Sequence, residues 1–351
     1  MFLSACGLFE RPDHFEARPV TFAELPGWSE DNHAEALASF QQSCALLARK
    51  PRAETTGSGI SVPASVWQSL CTQAAETPSP KLFFEAFFIP YRVSNHLNEQ
   101  GLFTGYYEPL LYGSLTKQGA YQYPVYATPP DLKKPYYSRA EIDNGALAGR
   151  GLEIAWVDDP VMLFFMHIQG SGRIRLADGS EFIAAYAEQN GHAYTTLGKL
   201  MKEQGLIPPD QINFFTIRQW LYDHKEQAFP MMQTNPSYVF FKRRDDLNVV
   251  GAIAAPLTPK RSLAVDSRYI PYGLPLYLET TLPTLPGAPQ HPFHRLVIAQ
   301  DTGGAIKKPV RGDVFFGHGQ EAEYLAGFMK QQGRYSLLVP RDIALTLPSY
   351  E

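Results

Sequence analysis

The segment Ala299-Gln300-Asp301-Thr302-Gly303-Gly304-Ala305-Ile306-Lys307, followed closely by Arg311-Gly312-Asp313-Val314-Phe315-Phe316-Gly317, decides how the rest of the chain reads. Two short apolar runs, Arg295 to Ala299 and Val314 to Phe316, have strand length and are separated by a glycine-rich turn. An acid closes the first run and another opens the second. Similar short runs lie on both sides, at Val249 to Ala254, Ser262 to Val265, Leu274 to Leu278 and Tyr335 to Val339, and together they predict a small β-barrel. One helix interrupts them, Glu321 to Gln332, closed by Gly333. The Pro-rich stretch Thr281 to Pro292 is expected to be a surface loop.

Working outward, residues 7 to about 100 read as mostly helical. A helix capped by Ser29 places Leu37, Phe40, Cys44 and Leu47 on one face, and another capped by Ser65 places Trp67, Leu70, Cys71 and Ala74 on one face. A third, Lys81 to Phe88, ends near Pro90. The centre of the chain turns to strands: Tyr121 to Ala127, Val161 to Ile168, and a hairpin of Arg173 to Ala177 with Glu181 to Ala185 around Asp178-Gly179. Helical periodicity returns in Thr195 to Glu203 and Asp210 to Lys225, before a strand at Tyr238 to Phe241. The helix faces bring Cys44 and Cys71 near each other, and both a disulfide and a pair of buried reduced thiols fit the pattern.

The 351 residues are enough for a large core, with 35 acidic against 31 basic side chains and no long run of either sign. That balance argues against a nucleic-acid partner. No apolar stretch reaches the roughly 20 residues that span a bilayer. Leu3-Ser4-Ala5-Cys6 reads as a lipobox, in which Cys6 becomes the lipidated first residue, and Gly7 in place of Asp favours outer-membrane retention. The basic and apolar segments that belong before a lipobox are missing from the chain, which reads as a late start.

Candidate chemistry gathers in three places. The acids Asp301 and Asp313 stand at strand ends pointing to one rim, with Lys307 between them, beside glycines that let backbone approach a ligand. Thr104-Gly105-Tyr106-Tyr107-Glu108-Pro109 crowds a hydroxyl, two rings and an acid at a bend; a sugar groove and an interdomain crossing with solvated Glu108 both fit it. Ile168-Gln169-Gly170-Ser171-Gly172-Arg173 is polar and glycine-rich, as a binding loop or a plain hairpin would be. Asp266 is a third acid of the region, with a structural role beside Arg261 or Arg268 the simpler expectation. His291 and His294 lack partners at metal-ligand spacing, and no phosphate or dinucleotide fingerprint is present. No metal and no cofactor is expected.

These clusters, with Asn235-Pro236-Ser237-Tyr238-Val239-Phe240-Phe241 and Leu257-Thr258-Pro259 to Asp266, follow one another in the order found in the type A membrane-bound lytic transglycosylases, which the sequence resembles from about residue 30 onward. The resemblance implies a mainly β fold with a helical N-terminal part: a double-psi β-barrel domain (residues 7–109 and 245–351) and a second, inserted β-rich domain (110–244), with a groove between them. It implies cleavage of the β-1,4 bond between N-acetylmuramic acid and N-acetylglucosamine in peptidoglycan, leaving 1,6-anhydro ends. Asp313 is then the catalytic acid and Asp301 its partner, with Thr104, Tyr107, Glu108, Gln169, Ser171, Arg173, Lys307 and Asp266 as substrate-binding residues. The barrel acids would face the clusters at Thr104 and Gln169 across the groove, and burial together with Asp301 would raise the pKa of Asp313. Lys308-Pro309 departs from the family pattern, in which many members carry glycine after the lysine. A monomer on the periplasmic face of the outer membrane of a Gram-negative bacterium, anchored through Cys6 and open to complexes with cell-wall enzymes, completes the expectation. An inverting glycoside hydrolase with Asp301 as base, and a non-catalytic peptidoglycan-binding lipoprotein, are the alternatives.

Overall fold

The computed structural model describes residues 12–47, 49, 55–284 and 289–344; Cys6 lies outside them. Three strands come first, β1 (Phe15–Pro19), β2 (Phe88–Asn95) and β3 (Gly101–Glu108). Six more, β4 (Leu110–Ser114), β5 (Tyr123–Tyr126), β6 (Glu153–Val157), β7 (Gly172–Leu176), β8 (Glu181–Gln189) and β9 (Val239–Arg244), form a separate sheet in the order β5-β6-β4-β7-β8-β9. The chain then returns with β10 (Ser262–Val265), β11 (Pro275–Leu282), β12 (His291–Asp301), β13 (Arg311–His318) and β14 (Lys330–Pro340), in the order β1-β2-β14-β11-β12-β10-β13-β3.

The second of these sheets closes on itself. The first residues of β14, Lys330 to Gly333, pair with β3, while Arg334 to Leu337 pair with β11. A ring of six strands results, with β10 and β12 parallel, β3 and β13 parallel, and the other contacts antiparallel. Closure removes the open edge that a sheet would otherwise present to other chains. Inside and around it lies the largest core, which includes Phe103, Leu263, Val265, Leu276, Val297, Val314 and Leu337, all fully buried.

Helices α1 (His33–Leu47), α2 (Ala64–Glu76) and α3 (Pro80–Phe87) pack on the barrel through Phe40, Trp67, Phe83 and Phe84. Cys44 and Cys71 form a disulfide between α1 and α2. The first helix starts at His33, where Asn32 Oδ1 accepts from the Glu35 backbone, so the cap falls three residues beyond Ser29. The first hundred residues are also less helical than the periodicity implies, because β1 and β2 extend the barrel sheet.

The central sheet packs its face of Leu111, Val157, Ile174, Phe182 and Phe241 against α5 (Pro160–Gln169), which follows the short turn α4 (Arg139–Glu141). Residues 161–168, expected as a strand, are thus helical. A continuous apolar run carries no decisive period, and the ends settle the matter: Asp159 accepts from the Val161 and Met162 backbones, Pro160 occupies the first turn, and Gly170 ends the helix at φ 83°. Helices α6 (Leu197–Glu203), α7 (Phe214–Asp223) and α8 (Lys225–Gln233) complete this half, α8 being unanticipated because Pro230 sits inside it. Residues 249–254 form a loop with Ala254 at φ 64°, not a strand. Near the end, α9 (Gln320–Phe328) stops four residues before the expected Gln332, since Lys330 to Gly333 are taken by pairing with β3; α10 (Arg341–Ala344) follows β14.

The Cys44–Cys71 link closes a loop of 27 residues in sequence separation, and such closure stabilises by about 3–4 kcal/mol through the unfolded chain. Replacing both cysteines by alanine should lower the urea midpoint by an amount corresponding to about 3 kcal/mol, and adding reductant should reproduce the loss in the wild type but leave the double variant unmoved.

Candidate active site

β10 separates the two acids. Its Ala264 is the register partner of Asp301 on β12 and of Asp313 on β13. Paired residues on neighbouring strands project to the same side of a sheet, so the two carboxyls rise from one end of the barrel with only a methyl group between them. Strand spacing of about 4.8 Å puts their backbones about 10 Å apart. Both residues are half-buried.

Asp313 is held by a hydrogen-bond chain whose direction is chemically fixed. Arg311 Nη2 donates to Thr104 Oγ1 at 2.8 Å, and because a guanidinium cannot accept, the Thr104 hydroxyl proton is left for Asp313 Oδ1, 2.5 Å away. The second carboxyl oxygen, Oδ2, remains for proton exchange. Thr104 reaches Asp313 from the parallel neighbour β3, where the two are register partners, and so lies beside the acid rather than across a groove from it. Burial pushes the Asp313 carboxyl above the usual carboxylate range, while the Arg311 charge and the Thr104 hydroxyl pull it back. Asp313 adds to the rise at Asp301, since neighbouring carboxylates raise each other.

Asp301 accepts three hydrogen bonds. Its Oδ1 accepts from the Ala252 and Thr302 backbones at 3.0 and 2.9 Å, and its Oδ2 from the Tyr106 hydroxyl at 2.8 Å. Burial is the main cause of a pKa pushed up to about 6, opposed by those three donors. Gly251 makes the Ala252 contact possible: a Cβ on it would lie 2.3 Å from the Gln300 carbonyl oxygen, so any side chain would lift the 249–256 loop off β12.

Tyr106 and Arg311 were not singled out by the sequence reading. Period two along β3 puts Thr104 and Tyr106 on one face and Phe103 and Tyr107 on the other, and that alternation was the available signal. Tyr107 is accordingly buried away from the acids, its hydroxyl donating to Glu323, which also pairs with Arg218 at 2.6 Å. Glu108, 3% exposed, is not solvated: it takes Arg173 Nε at 2.8 Å, and Arg173 also reaches Glu181. Both residues are thus held in charged pairs. Gln169, at the end of α5, accepts the Tyr107 backbone N–H, and half-buried Ser171 sits in the turn after it. Lys307 is exposed in the loop between the acids.

Asp266 pairs with Arg268 at 2.5 Å. Its Oδ2 also accepts from the Lys308 backbone at 2.9 Å. Lys308 has φ 107°, in the region that favours glycine. Here the Asp266 contact holds the loop without glycine.

Two outcomes follow. A folded-state pKa of about 6 for Asp301, against an ordinary 3.8, means that the folded protein binds this proton more tightly than the unfolded chain, so the contribution to stability falls as pH rises from about 4 to about 6. Asp301→Asn should therefore be more stable than wild type at pH 7, by on the order of 2 kcal/mol, and the difference should close at pH 4 in denaturant titrations. Lys308→Gly should raise stability by about 1 kcal/mol in the same assay by relieving the backbone, provided Asp266 is intact.

Comparison with known proteins adds three findings. Residues 102–242 match the MltA specific insert domain and residues 261–339 the 3D domain. Membrane-bound lytic murein transglycosylase A of Escherichia coli K12 is 38% identical over 239 residues, 67% of this chain, and the match spans 65% of that relative's length. Among solved structures, the membrane-bound lytic murein transglycosylase from Agrobacterium tumefaciens is 33% identical, with a TM-score of 0.85 over 94% of this chain and 99% of that one. E. coli MltA with bound chitohexaose is 28% identical, with a TM-score of 0.73 over 94% and 95% of the two chains. On the strength of these matches and the shared fold, the chain belongs to the MltA family of membrane-bound lytic murein transglycosylases.

Proposed function

We propose that this protein is a lytic transglycosylase that cleaves the β-1,4 bond between N-acetylmuramic acid and N-acetylglucosamine in peptidoglycan, with Asp313 as the one principal acid and base. The observation that carries this reading is the one-way chain from Arg311 through Thr104 to Asp313, which leaves a single carboxyl oxygen, Oδ2, for the travelling proton. Protonated Asp313 donates to the glycosidic oxygen as the bond to C1 breaks and positive charge grows on the muramic ring. The resulting carboxylate then takes the proton of the C6 hydroxyl of that ring, whose oxygen attacks C1 and closes the 1,6-anhydro product. No water enters. The nucleophile is already tethered, so its effective concentration is high without a second carboxylate to hold it.

The engagement of Asp301 favours this reading over an inverting hydrolase. Three donors already hold the Asp301 carboxyl, two backbone N–H groups on Oδ1 and the Tyr106 hydroxyl on Oδ2, which makes it a poorer base for water than an unengaged carboxylate would be. Its part is to hold Tyr106 and the 249–256 loop around the reaction centre. Gln169, Ser171 and Lys307 are proposed to line the path of the glycan, a role supported by the chitohexaose complex of the E. coli relative.

The finer architecture belongs to the same proposal. The two parallel pairs within the six-strand ring support a double-psi barrel made of residues 7–109 and 245–351, and the separate sheet supports an inserted domain at 110–244. The sequence around Cys6 supports a lipid anchor and a place on the periplasmic face of the outer membrane, as a monomer working among other wall enzymes.

Mass spectrometry of muropeptides released from purified peptidoglycan tests the reaction. Wild type should give products lighter by one water than hydrolytic ones, and Asp313→Asn should release none while folding normally. Reducing-end products would assign a hydrolase instead.

A further inference from the structure

The central half of the molecule contains a pocket of about 500 Å³, within the range of about 300–1,000 Å³ usual for small-ligand sites. It lies among β5, β6, α5, α8 and the turn after α4, and neither catalytic-site acid nor any of their partners lines it. Tyr123, Trp156 and Phe229 form its walls. At the mouth stands exposed Asp143, with half-buried Glu153 in the wall. The floor holds Arg139, only 3% exposed, packed on the rings of Phe164 and Tyr238.

Arg139 is a buried cation with no carboxylate bonded to it, and Asp143 acts on it through its charge without a direct contact. Its Nε and Nη2 donate to the carbonyls of Asn235 and Ser237, and its Nη2 also faces His167 Nδ1 at 3.4 Å. Its Nη1 has no acceptor among the described residues, and no carboxylate stands within salt-bridge distance of it there. Backbone carbonyls satisfy hydrogen bonds but bring no negative charge, and a buried guanidinium is best matched by a carboxylate, whose geometry fits its fork. The pocket therefore presents a buried positive charge at Arg139 and more exposed negative charges at Asp143 and Glu153. A ligand that fits these charges carries a carboxylate inward and an amine outward, with an aliphatic body against the rings.

We propose that this pocket is a second binding site, which takes the free carboxylate end of a short amine-bearing peptide, with Arg139 receiving the carboxylate and Asp143 the amine. A bare glycan has neither group. The site stands apart from the cleavage chemistry, and its occupancy is independent of whether Asp313 acts as acid.

Calorimetric titration of the full chain with alanylalanine, in its all-L and all-D forms, is the test. Binding of at least one form is expected, with a C-terminal amide at least about tenfold weaker, as loss of a charge-assisted contact gives. N-acetylation should also weaken binding to wild type but cost nothing further in Asp143→Asn. Because Arg139 also ties down the 235–237 backbone and its loss could unfold this half, Trp156→Ala at the wall supplies the control and should lower affinity in a folded protein. Absence of binding by both dipeptides at on the order of 10 mM, equal affinity for acid and amide, or binding of chitobiose that Trp156→Ala abolishes while dipeptides fail, would each overturn the proposal.

Discussion

Four residues, Ser262 to Val265, carry the geometry of the site. β10 is buried along its whole length and pairs on one side with β12 and on the other with β13, so any shift in it moves both acids. Its position is fixed from the side opposite the cleft. Arg261, 1% exposed, grips Asp31 with both terminal nitrogens and donates to the Leu296 carbonyl, while Ser262 donates to Gln300, which in turn bonds Ser39 and Ser43 on α1. A buried ion pair of this kind adds little net stability, since desolvating the charges offsets their attraction. What it adds is register. Gln300 faces the helices and Asp301 the cleft, one residue apart on the same strand, so the N-terminal helices are part of the support for the catalytic end.

A second set of polar contacts joins the barrel to the central half, most of it through β3, with the Arg218–Glu323 pair between α7 and α9 beside it. Tyr107 gives its backbone N–H to Gln169 and its hydroxyl to Glu323; Glu108 takes Arg173. Stacking of Phe215 on Phe328 joins α7 to α9. The strand that supplies Thr104 and Tyr106 to the acids thus supplies, with its other face and its last residue, the anchor for the neighbouring half. Substitution of Arg173 acts on the relative placement of the two halves, because it would leave buried Glu108 unpaired, whereas loss of Glu108 leaves Arg173 its pair with Glu181.

The acids were legible in the sequence because strand ends and glycines mark them locally. Their surroundings were less so. Tyr107 and Glu108 looked like groove residues next to Thr104, yet strand alternation turns the first away and a distant Arg173 occupies the second. Arg173 itself was visible only as part of a turn. For α5, the continuous apolar run Val161 to Met166 hid the helix, and the cap at Asp159 was the missed cue. The C-terminal helix was drawn too long because nothing local distinguishes Lys330 to Gly333 from a helical turn; a strand 230 residues earlier in the chain determines their state. Lys308 shows the reverse case, in which a departure from a family pattern marked a backbone conformation that Asp266 sustains.

The ring closes only when its earliest strand meets its latest. β3 is made near residue 101, whereas its partners β13 and β14 follow some two hundred residues later. Such long-range pairing makes folding slow, and domains generally assemble only once the segments they need have been synthesised. Thr104 therefore has no Asp313 to hydrogen-bond until some two hundred further residues have been made, and the proposed proton donor is not held in place before then. For a protein whose proposed substrate is the cell's own wall, the topology acts as a built-in delay.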